Sequence, residues 1–275
     1  MQKEKPGWRI IKYFIIISFL IWTVVPIMVI LSNSFKRPID IFSVPFVIFF
    51  KPILSNYIKA FMVGEFSRYF INSLIVAMST SILSVGLGAF AAYGLTSFDL
   101  KLGKSISRII LIGKFVPSLT ILIPLFVILS NMKLIGTFVG PILAHTAINL
   151  PFVIWLLMGF IVDVPKELIS AAFIDGCGKL KILFKIILPI IAPAIASAFV
   201  LTMQYSWNEL VFSLQLTNVN TYTLPVGISQ FVGAVSVDWG KSSAAAAVTM
   251  IPVIIAGFFV QKYLVTGMTM GAVKG

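Results

Sequence analysis

The sequence predicts an all-α membrane protein with six transmembrane helices. Hydrophobic residues make up 59% of its 275 positions and charged residues only 11%, whereas a water-soluble domain carries about a quarter charged residues. Apolar runs of roughly 20 residues, the length that a helix needs to cross a bilayer, recur along the chain. The net charge of +12 therefore indicates basic loops on the cytoplasmic side of a membrane rather than nucleic-acid binding.

The first apolar run, 13–34, follows a basic N-terminus at 1–12. Because the run is long and lacks a clear small-residue cleavage site, it predicts an uncleaved first transmembrane helix rather than a signal peptide. The next segment, 35–67, contains several prolines and aromatic residues and predicts an extracytoplasmic stretch of irregular backbone. One short helix is expected within this segment, near Asn56–Met62.

The remaining five helices form a predicted permease core at 68–265, followed by a cytoplasmic tail at 266–275. The second helix is rich in serine, glycine and alanine, and we expect it at the centre of the bundle because small residues let helices approach closely in lipid. Prolines at 117, 124, 151, 189 and 193 predict kinks. The helices of this core are predicted from about 69 to 98, 106 to 129, 137 to 162, 182 to 216 and 243 to 264.

The distribution of Lys and Arg predicts the orientation of the chain. With both termini in the cytoplasm, thirteen of the 21 basic residues lie inside and seven lie outside, while Lys114 falls within the third helix. Such an excess is typical of cytoplasmic loops. Lys114 is interpreted as snorkelling to the cytoplasmic interface. A position on a transport pathway and a pair with a carboxylate are the alternatives for this lysine.

The sequence shows no catalytic or metal-binding constellation. One cysteine, Cys177, excludes a cysteine-based metal cluster, and the single histidine, His145, is expected to hydrogen-bond between helices. The chain also lacks the Gly-x-x-x-x-Gly-Lys-Ser/Thr loop that binds nucleotide phosphates. We therefore expect a protein that is not an enzyme and that binds no cofactor of its own. If ATP drives transport, another subunit has to bind it.

A charged stretch at 163–189 separates the fourth and fifth helices. Pro165 is a favoured first helical residue, Glu167 complements the helix dipole, and Gly176 can end the helix in the left-handed conformation. The stretch predicts a short cytoplasmic helix, Pro165–Asp175. Its small-residue face is either a docking surface for another protein or part of an ordinary connector on the membrane. That face, at spacing i, i+3, i+4 and i+7, comprises Leu168, Ala171, Ala172 and Asp175.

A polar patch interrupts the fifth helix at 204–209. A carboxylate such as Glu209 is costly in a membrane and is expected to face the bundle interior or a wet cavity. Polar groups beside aromatic rings suit a sugar, whose hydroxyls need hydrogen bonds and whose C–H faces stack on rings. A structural polar cluster between helices fits equally well, whereas a proton relay needs a longer chain of titratable groups. The predicted pathway residues are Gln204, Tyr205, Trp207, Asn208 and Glu209.

The charged stretch resembles the cytoplasmic signature loop, or EAA loop, of the membrane subunits of ABC importers. That signature is Glu-Ala-Ala, three residues, Gly, nine residues, and then Ile-x-Leu-Pro. Ser170 stands where the family has its glutamate, and our hypothesis is that Glu167, one turn earlier, partly substitutes for it. The matching residues are Ala171, Ala172, Asp175, Gly176, Ile186, Leu188 and Pro189.

Further motifs are similar to one group of carbohydrate permeases, of the maltose type. Trp207-Asn208-Glu209 resembles the Trp-Asn-Glu motif of that group. The stretches 72–76, 223–227 and 267–275 are also similar to it. Together these similarities extend from about Phe70 to Gly275.

This resemblance implies the MetI-like fold of type I ABC importers and a permease subunit that moves a sugar or oligosaccharide across the bacterial cytoplasmic membrane. The implied partners are a second membrane subunit, usually a different chain, two copies of a P-loop ATPase that binds ATP and Mg²⁺, and an extracytoplasmic solute-binding protein. A stand-alone secondary transporter or channel, and a non-transporting scaffold, are the alternatives. ATPase contacts are implied for Glu167, Ser170, Ala171, Ala172, Asp175, Gly176, Leu188 and Pro189 in the loop, and for Gly271, Ala272, Val273, Lys274 and Gly275 in the tail.

Overall fold

The computed structural model describes residues 6–63, 65–98, 103–230 and 238–270, and within these ranges every regular element is a helix. The all-α prediction is therefore confirmed. The chain divides into two compact units. One unit combines Met1–Ser67 with Ile228–Ile251, and the other combines Arg68–Gly227 with Pro252–Gly275.

The first unit begins with a long apolar helix, α1, at Pro6–Ser34. Most of its large hydrophobic side chains are exposed, as expected of a helix that faces lipid. Two short helices follow, α2 at Pro38–Ile41 and α3 at Ser55–Ile58, and a wide helical turn at Lys59–Val63 extends the latter. The short helix predicted near Asn56–Met62 is thereby confirmed.

The segment after α1 is ordered around a buried lysine, Lys36. Its Nζ lies 3.7 Å from the centre of the Phe46 ring and 5.1 Å from that of Phe50, which is cation–π geometry. Asn56 donates hydrogen bonds to the backbone oxygens of Ser34 and Lys36, at 3.0 and 2.8 Å. Burial lowers the pKa of Lys36 below its usual range. Irregular backbone is thus held here by side-chain contacts rather than by a helix or a sheet.

The second unit contains the helices that position the candidate site. Two of them, α9 at Lys179–Ile190 and α10 at Ala192–Asn208, meet at an angle of 79°. Pro189 and Pro193 flank this bend, and neither supplies the backbone N–H that would continue the helical ladder, so the kinks predicted there are confirmed. The helices that follow α3 are α4 at Phe66–Ser97, α5 at Gly103–Gly113, α6 at Ser118–Asn131, α7 at Val139–Val162, α8 at Lys166–Ile174, α9 at Lys179–Ile190, α10 at Ala192–Asn208, α11 at Val211–Leu216, α12 at Leu224–Ser229 and α13 at Trp239–Met270.

Four helices of the described chain are long and apolar enough to cross a membrane, namely α1, α4, α7 and α13, and the bent pair α9–α10 adds a fifth if its two helices form one span. The third predicted span, from about 106 to 129, is in fact two helices. α5 ends at Gly113, and Pro117 directly precedes α6, which continues through Pro124. A count of six spans therefore requires that α5 and α6 together complete one crossing.

Small residues allow α4 to pack closely on α7, as predicted for a helix at the centre of a bundle. A Cβ atom added to Gly88 of α4 would lie 2.5 Å from Cγ1 and 3.2 Å from Cβ of Val153 on α7. Ala89 and Ala92 are buried in the same hydrophobic core. By contrast, a Cβ atom at Gly86, half a turn away, meets nothing within 4 Å.

We expect Gly88→Leu to destabilise the protein by about 1–3 kcal/mol, the usual cost of overpacking a well-filled interface. Gly86→Leu is the matched control, because it makes the same chemical change on the same helix where space is open. The measurement is the thermal unfolding midpoint of the two purified variants in detergent. Equal midpoints would show that α4 and α7 are not in close contact at Gly88.

Candidate functional site

The helix predicted in the charged stretch is α8, and its ends are set by local sequence signals. Pro165 immediately precedes it, and Glu167 lies in its first turn. At its end the Cys177 N–H donates to the Ala172 oxygen at 2.9 Å, and the Gly176 N–H donates to the Phe173 oxygen at 3.1 Å. This is the Schellman motif, which needs a left-handed residue, and Gly176 has φ = +75°. The glycine of the signature therefore ends the helix.

One side of α8 is fixed to the hydrophobic core of the second unit. Ala172 is only 5% exposed and belongs to the same cluster as Val164, Ile182 and Leu183. The Tyr93 hydroxyl on α4 donates a hydrogen bond of 3.1 Å to the Lys179 oxygen just after the loop. A force applied to α8 is therefore passed to α4 and α9 through packed side chains.

The exposed surface of α8 contains more large apolar side chains than the sequence analysis assigned to it. Ile174 is 86% exposed, and Leu168 and Phe173 are each 46% exposed. Both Phe173 and Ile174 were missed, although Ile174 lies seven residues after Glu167 and therefore on the same helical face. The predicted contact residues that are exposed on α8 and at its end are Glu167, Ser170, Ala171, Asp175 and Gly176.

The predicted face of α8 needs one correction, at Ala172. Adjacent helical residues differ by about 100° in direction, because a turn holds 3.6 residues. Ala171 therefore points to solvent while Ala172 enters the core. Leu188 and Pro189 also lie away from this face, near the C-terminal end of α9, just before the bend into α10. Their position indicates a role in shaping the bend.

A buried hydrogen-bonded cluster surrounds Glu209, immediately after α10. Its carboxylate accepts hydrogen bonds from the backbone N–H groups of Phe212 and Ser213, at 2.9 and 3.0 Å, and from the Ser213 hydroxyl at 3.2 Å. His145 Nε2 of α7 lies 3.0 Å from the same carboxylate, and His145 Nδ1 lies 2.7 Å from the Ser206 hydroxyl. The helix–helix role predicted for His145 is confirmed.

This cluster makes Glu209 a connector of three helices. Two of its contacts satisfy N–H groups at the start of α11, where a helix leaves such donors unpaired. A third joins it to His145 of α7, which in turn contacts the Ser206 hydroxyl of α10, and the Glu209 side chain is only 8% exposed. Of the two alternatives for the polar patch, this geometry favours the structural one for Glu209 itself.

The neighbouring polar residues line an open cleft of roughly 570 Å³. Gln204 and Asn208 expose their side chains there, and the Tyr205 ring and part of Glu209 complete its polar wall. Trp207 does not line the cleft. Its side chain is 1% exposed and packs edge-on against Phe70, with ring centres 5.3 Å apart. Four of the five residues predicted together on a pathway thus share one cleft.

A second cavity, of roughly 240 Å³, lies beside the cleft and includes Lys114. Lys114 is located in the break between α5 and α6, and its Nζ lies 5.6 Å from the ring centre of Tyr205 and 5.8 Å from that of Phe152. Tyr205 lines both cavities. Of the interpretations considered for this lysine, its position favours a place on the pathway over snorkelling to the interface.

The five tail residues predicted to contact an ATPase, Gly271 to Gly275, lie outside the described part of the chain. The same holds for most of the loop between α4 and α5, at 99–102.

Comparison with known proteins identifies the family of the chain. Residues 84–270 match the family described as binding-protein-dependent transport system inner membrane component. The chain belongs to this family. It is 32% identical to the probable ABC transporter permease protein YurM of Bacillus subtilis, over 99% of this chain and 93% of that protein. It is also 30% identical to the melibiose/raffinose/stachyose import permease protein MelC of Bacillus subtilis, with 91% of each chain covered.

The fold agrees with this assignment. A crystal structure of a bacterial ABC transporter involved in the import of the acidic polysaccharide alginate contains a chain that superposes with a TM-score of 0.83. The sequence identity is 20%, and the match covers 96% of this chain and 99% of that one. The predicted importer-permease fold is therefore confirmed. As a permease subunit of an ABC transporter, the chain is not itself catalytic.

Proposed function

We propose that this permease is the membrane subunit of an ATP-driven, binding-protein-dependent importer of a sugar or oligosaccharide. The observation that carries the proposal is the cleft at the end of α10, where the amides of Gln204 and Asn208 lie beside the Tyr205 ring. Amides hydrogen-bond to hydroxyls, and a ring packs against the C–H face of a sugar. The relatedness to a permease named for melibiose, raffinose and stachyose import supports the same substrate class.

The energy source in this proposal is a separate ATPase that docks on α8. Two copies of a P-loop ATPase bind ATP and Mg²⁺ below the membrane, and each contacts one membrane subunit. The exposed apolar side chains of α8 suit such an interface, because apolar side chains buried at the centre of an interface supply most of its affinity. Ala172 fixes α8 to the core, and Tyr93 fixes the start of α9 directly after it, so closure of the ATPases moves the helices as a rigid body.

The other parts of the proposed assembly are a second membrane subunit, which is a different chain, and an extracytoplasmic solute-binding protein that delivers the sugar. The subunit lies in the bacterial cytoplasmic membrane with both termini in the cytoplasm. The excess of Lys and Arg in the loops assigned to that side supports this orientation.

The test is uptake of radiolabelled raffinose into proteoliposomes that contain the whole complex, with ATP inside and the binding protein outside. We expect uptake in wild type to require ATP. A Gln204→Ala, Asn208→Ala double variant is expected to reduce uptake at least tenfold, since about 1.4 kcal/mol of lost interaction is already tenfold. The matched control is Gln215→Ala, which removes an exposed amide from α11, outside the cleft.

Two results would contradict the proposal. Uptake that is driven by an ion gradient and does not require ATP would indicate a stand-alone secondary transporter. Equal uptake by the double variant and by Gln215→Ala would show that the cleft is not part of the transport pathway.

A further inference from the structure

The break between α5 and α6 is an unusual place for a lysine. α6 has 14 residues and so covers only about 21 Å at 1.5 Å per residue, whereas the hydrocarbon core of a bilayer is about 30 Å thick. If α6 ends at the outer surface, as the proposed orientation requires, the break at 114–117 lies within the hydrocarbon region. Non-helical backbone at that depth is tolerated only where protein buries it or where it lines a watery cavity.

Among the described residues, the immediate surroundings of Lys114 offer aromatic rings but no counter-charge. Its ammonium group lies near the faces of Tyr205 and Phe152, and within the described part of the chain no carboxylate is within 4.0 Å of it. The carboxylate of the adjoining cleft belongs to Glu209, and its oxygens accept hydrogen bonds from Phe212, Ser213 and His145. An intramembrane cation without a partner is expensive and usually functional.

Lys114 is also connected to the sugar cleft. The cavity beside it and the cleft at the end of α10 share Tyr205. A saccharide that packs on the Tyr205 ring is therefore close to the ammonium group as well. Glu209 also lines the cleft, but its carboxylate already accepts hydrogen bonds from Phe212, Ser213 and His145, whereas the ammonium group of Lys114 faces aromatic rings.

We propose that Lys114 is a specificity-determining residue that receives the negatively charged group of an acidic saccharide, a carboxylate or a sulfonate, as it passes the cleft. This inference rests on the proposed function and narrows its substrate class from sugars in general to anionic ones. An anionic group bound here would supply the counter-charge that the described residues do not place beside the ammonium group of Lys114.

The experiment compares uptake of trigalacturonate, which is acidic, with uptake of neutral raffinose by the reconstituted complex. The variants are Lys114→Gln, Lys114→Arg and, as the matched control for loss of one positive charge, Lys133→Gln at an exposed turn. Because the same binding protein delivers both saccharides to every variant, its own preference cancels when the acidic-to-neutral ratios are compared.

We expect wild type to import the acidic saccharide faster than the neutral one, and Lys114→Gln to lower the acidic-to-neutral ratio about tenfold, which corresponds to 1.4 kcal/mol. Lys114→Arg is expected to restore most of the ratio, and Lys133→Gln to leave it unchanged.

Four results would overturn the inference. If Lys114→Gln lowers both uptakes equally, the lysine has a structural role or binds a lipid phosphate. If neither uptake changes, or if wild type imports raffinose alone, Lys114 does not select acidic saccharides, although the proposed sugar import still stands. If wild type takes up neither saccharide with ATP, the proposed function fails as well.

Discussion

Ile174→Glu is expected to abolish retention of the ATPase while leaving the permease folded. Ile174 is the most exposed large apolar side chain of α8, so a carboxylate there does not disturb the core of the subunit. In the docked complex the same carboxylate would be buried in an apolar contact. Loss of such a hot-spot residue costs at least about 2 kcal/mol of binding free energy, which is roughly a thirtyfold loss of affinity.

The measurement is co-purification of the ATPase with the tagged permease, together with the yield of the folded membrane pair. Met132→Glu is the matched control, because it also places a carboxylate at an exposed apolar position, in the turn that the proposed orientation assigns to the opposite side of the membrane. If Ile174→Glu retains as much ATPase as Met132→Glu, α8 is not the docking helix.

Substitution of two adjacent alanines of α8 by tryptophan provides a second test of the docking surface. Ala171→Trp enlarges an exposed residue and is expected to reduce ATPase retention only. Ala172→Trp forces an indole into the packed core beside Val164 and Ile182, and overpacking of that kind costs about 1–3 kcal/mol or more. We therefore expect Ala172→Trp to lower the unfolding temperature of the permease itself, so loss of the ATPase in that variant alone would not identify a docking surface.

The second large effect is expected at Glu209, where Glu209→Gln should lower the stability of the subunit by about 2–4 kcal/mol. The glutamine amide has one acceptor oxygen and cannot satisfy the four donors that the carboxylate now receives from Phe212, Ser213 and His145. Its NH₂ group would also face at least one of those donors. The measurement is thermal unfolding of the purified permease in detergent, and any loss of transport should follow from the loss of structure.

Gln204→Ala is the comparison for Glu209, because Gln204 lines the same cleft with an exposed side chain. It should leave the unfolding temperature unchanged while transport falls. A double-mutant cycle between Glu209 and His145 then isolates their contact, and we expect a coupling energy above about 0.5 kcal/mol, as for residues in one network. Additive effects, or a Glu209→Gln variant as stable as wild type, would show that the cluster does not hold the helices together.

Much of the candidate site could be predicted because its signals are local. The predicted helix Pro165–Asp175 differs from the observed Lys166–Ile174 only at its two end residues, since the proline, the first-turn carboxylate and Gly176 act within one or two turns of chain. The polar patch at 204–209 could also be recognised from the sequence. Its partner His145 was not assigned to it, because 64 residues separate His145 from Glu209 and no local pattern connects them.

The sequence by itself determined that this is a helical membrane protein, where most of its long helices lie, and which loop carries the importer signature. It could do so because each helix in a membrane satisfies its own backbone hydrogen bonds within a continuous apolar segment. Only the tertiary structure decided that Ala172 faces inward, that Gly88 rather than Gly86 meets α7, and that Lys114 lies against Tyr205. In lipid the outer face of a helix is as apolar as its packed face, so hydrophobic periodicity does not reveal which side chains meet.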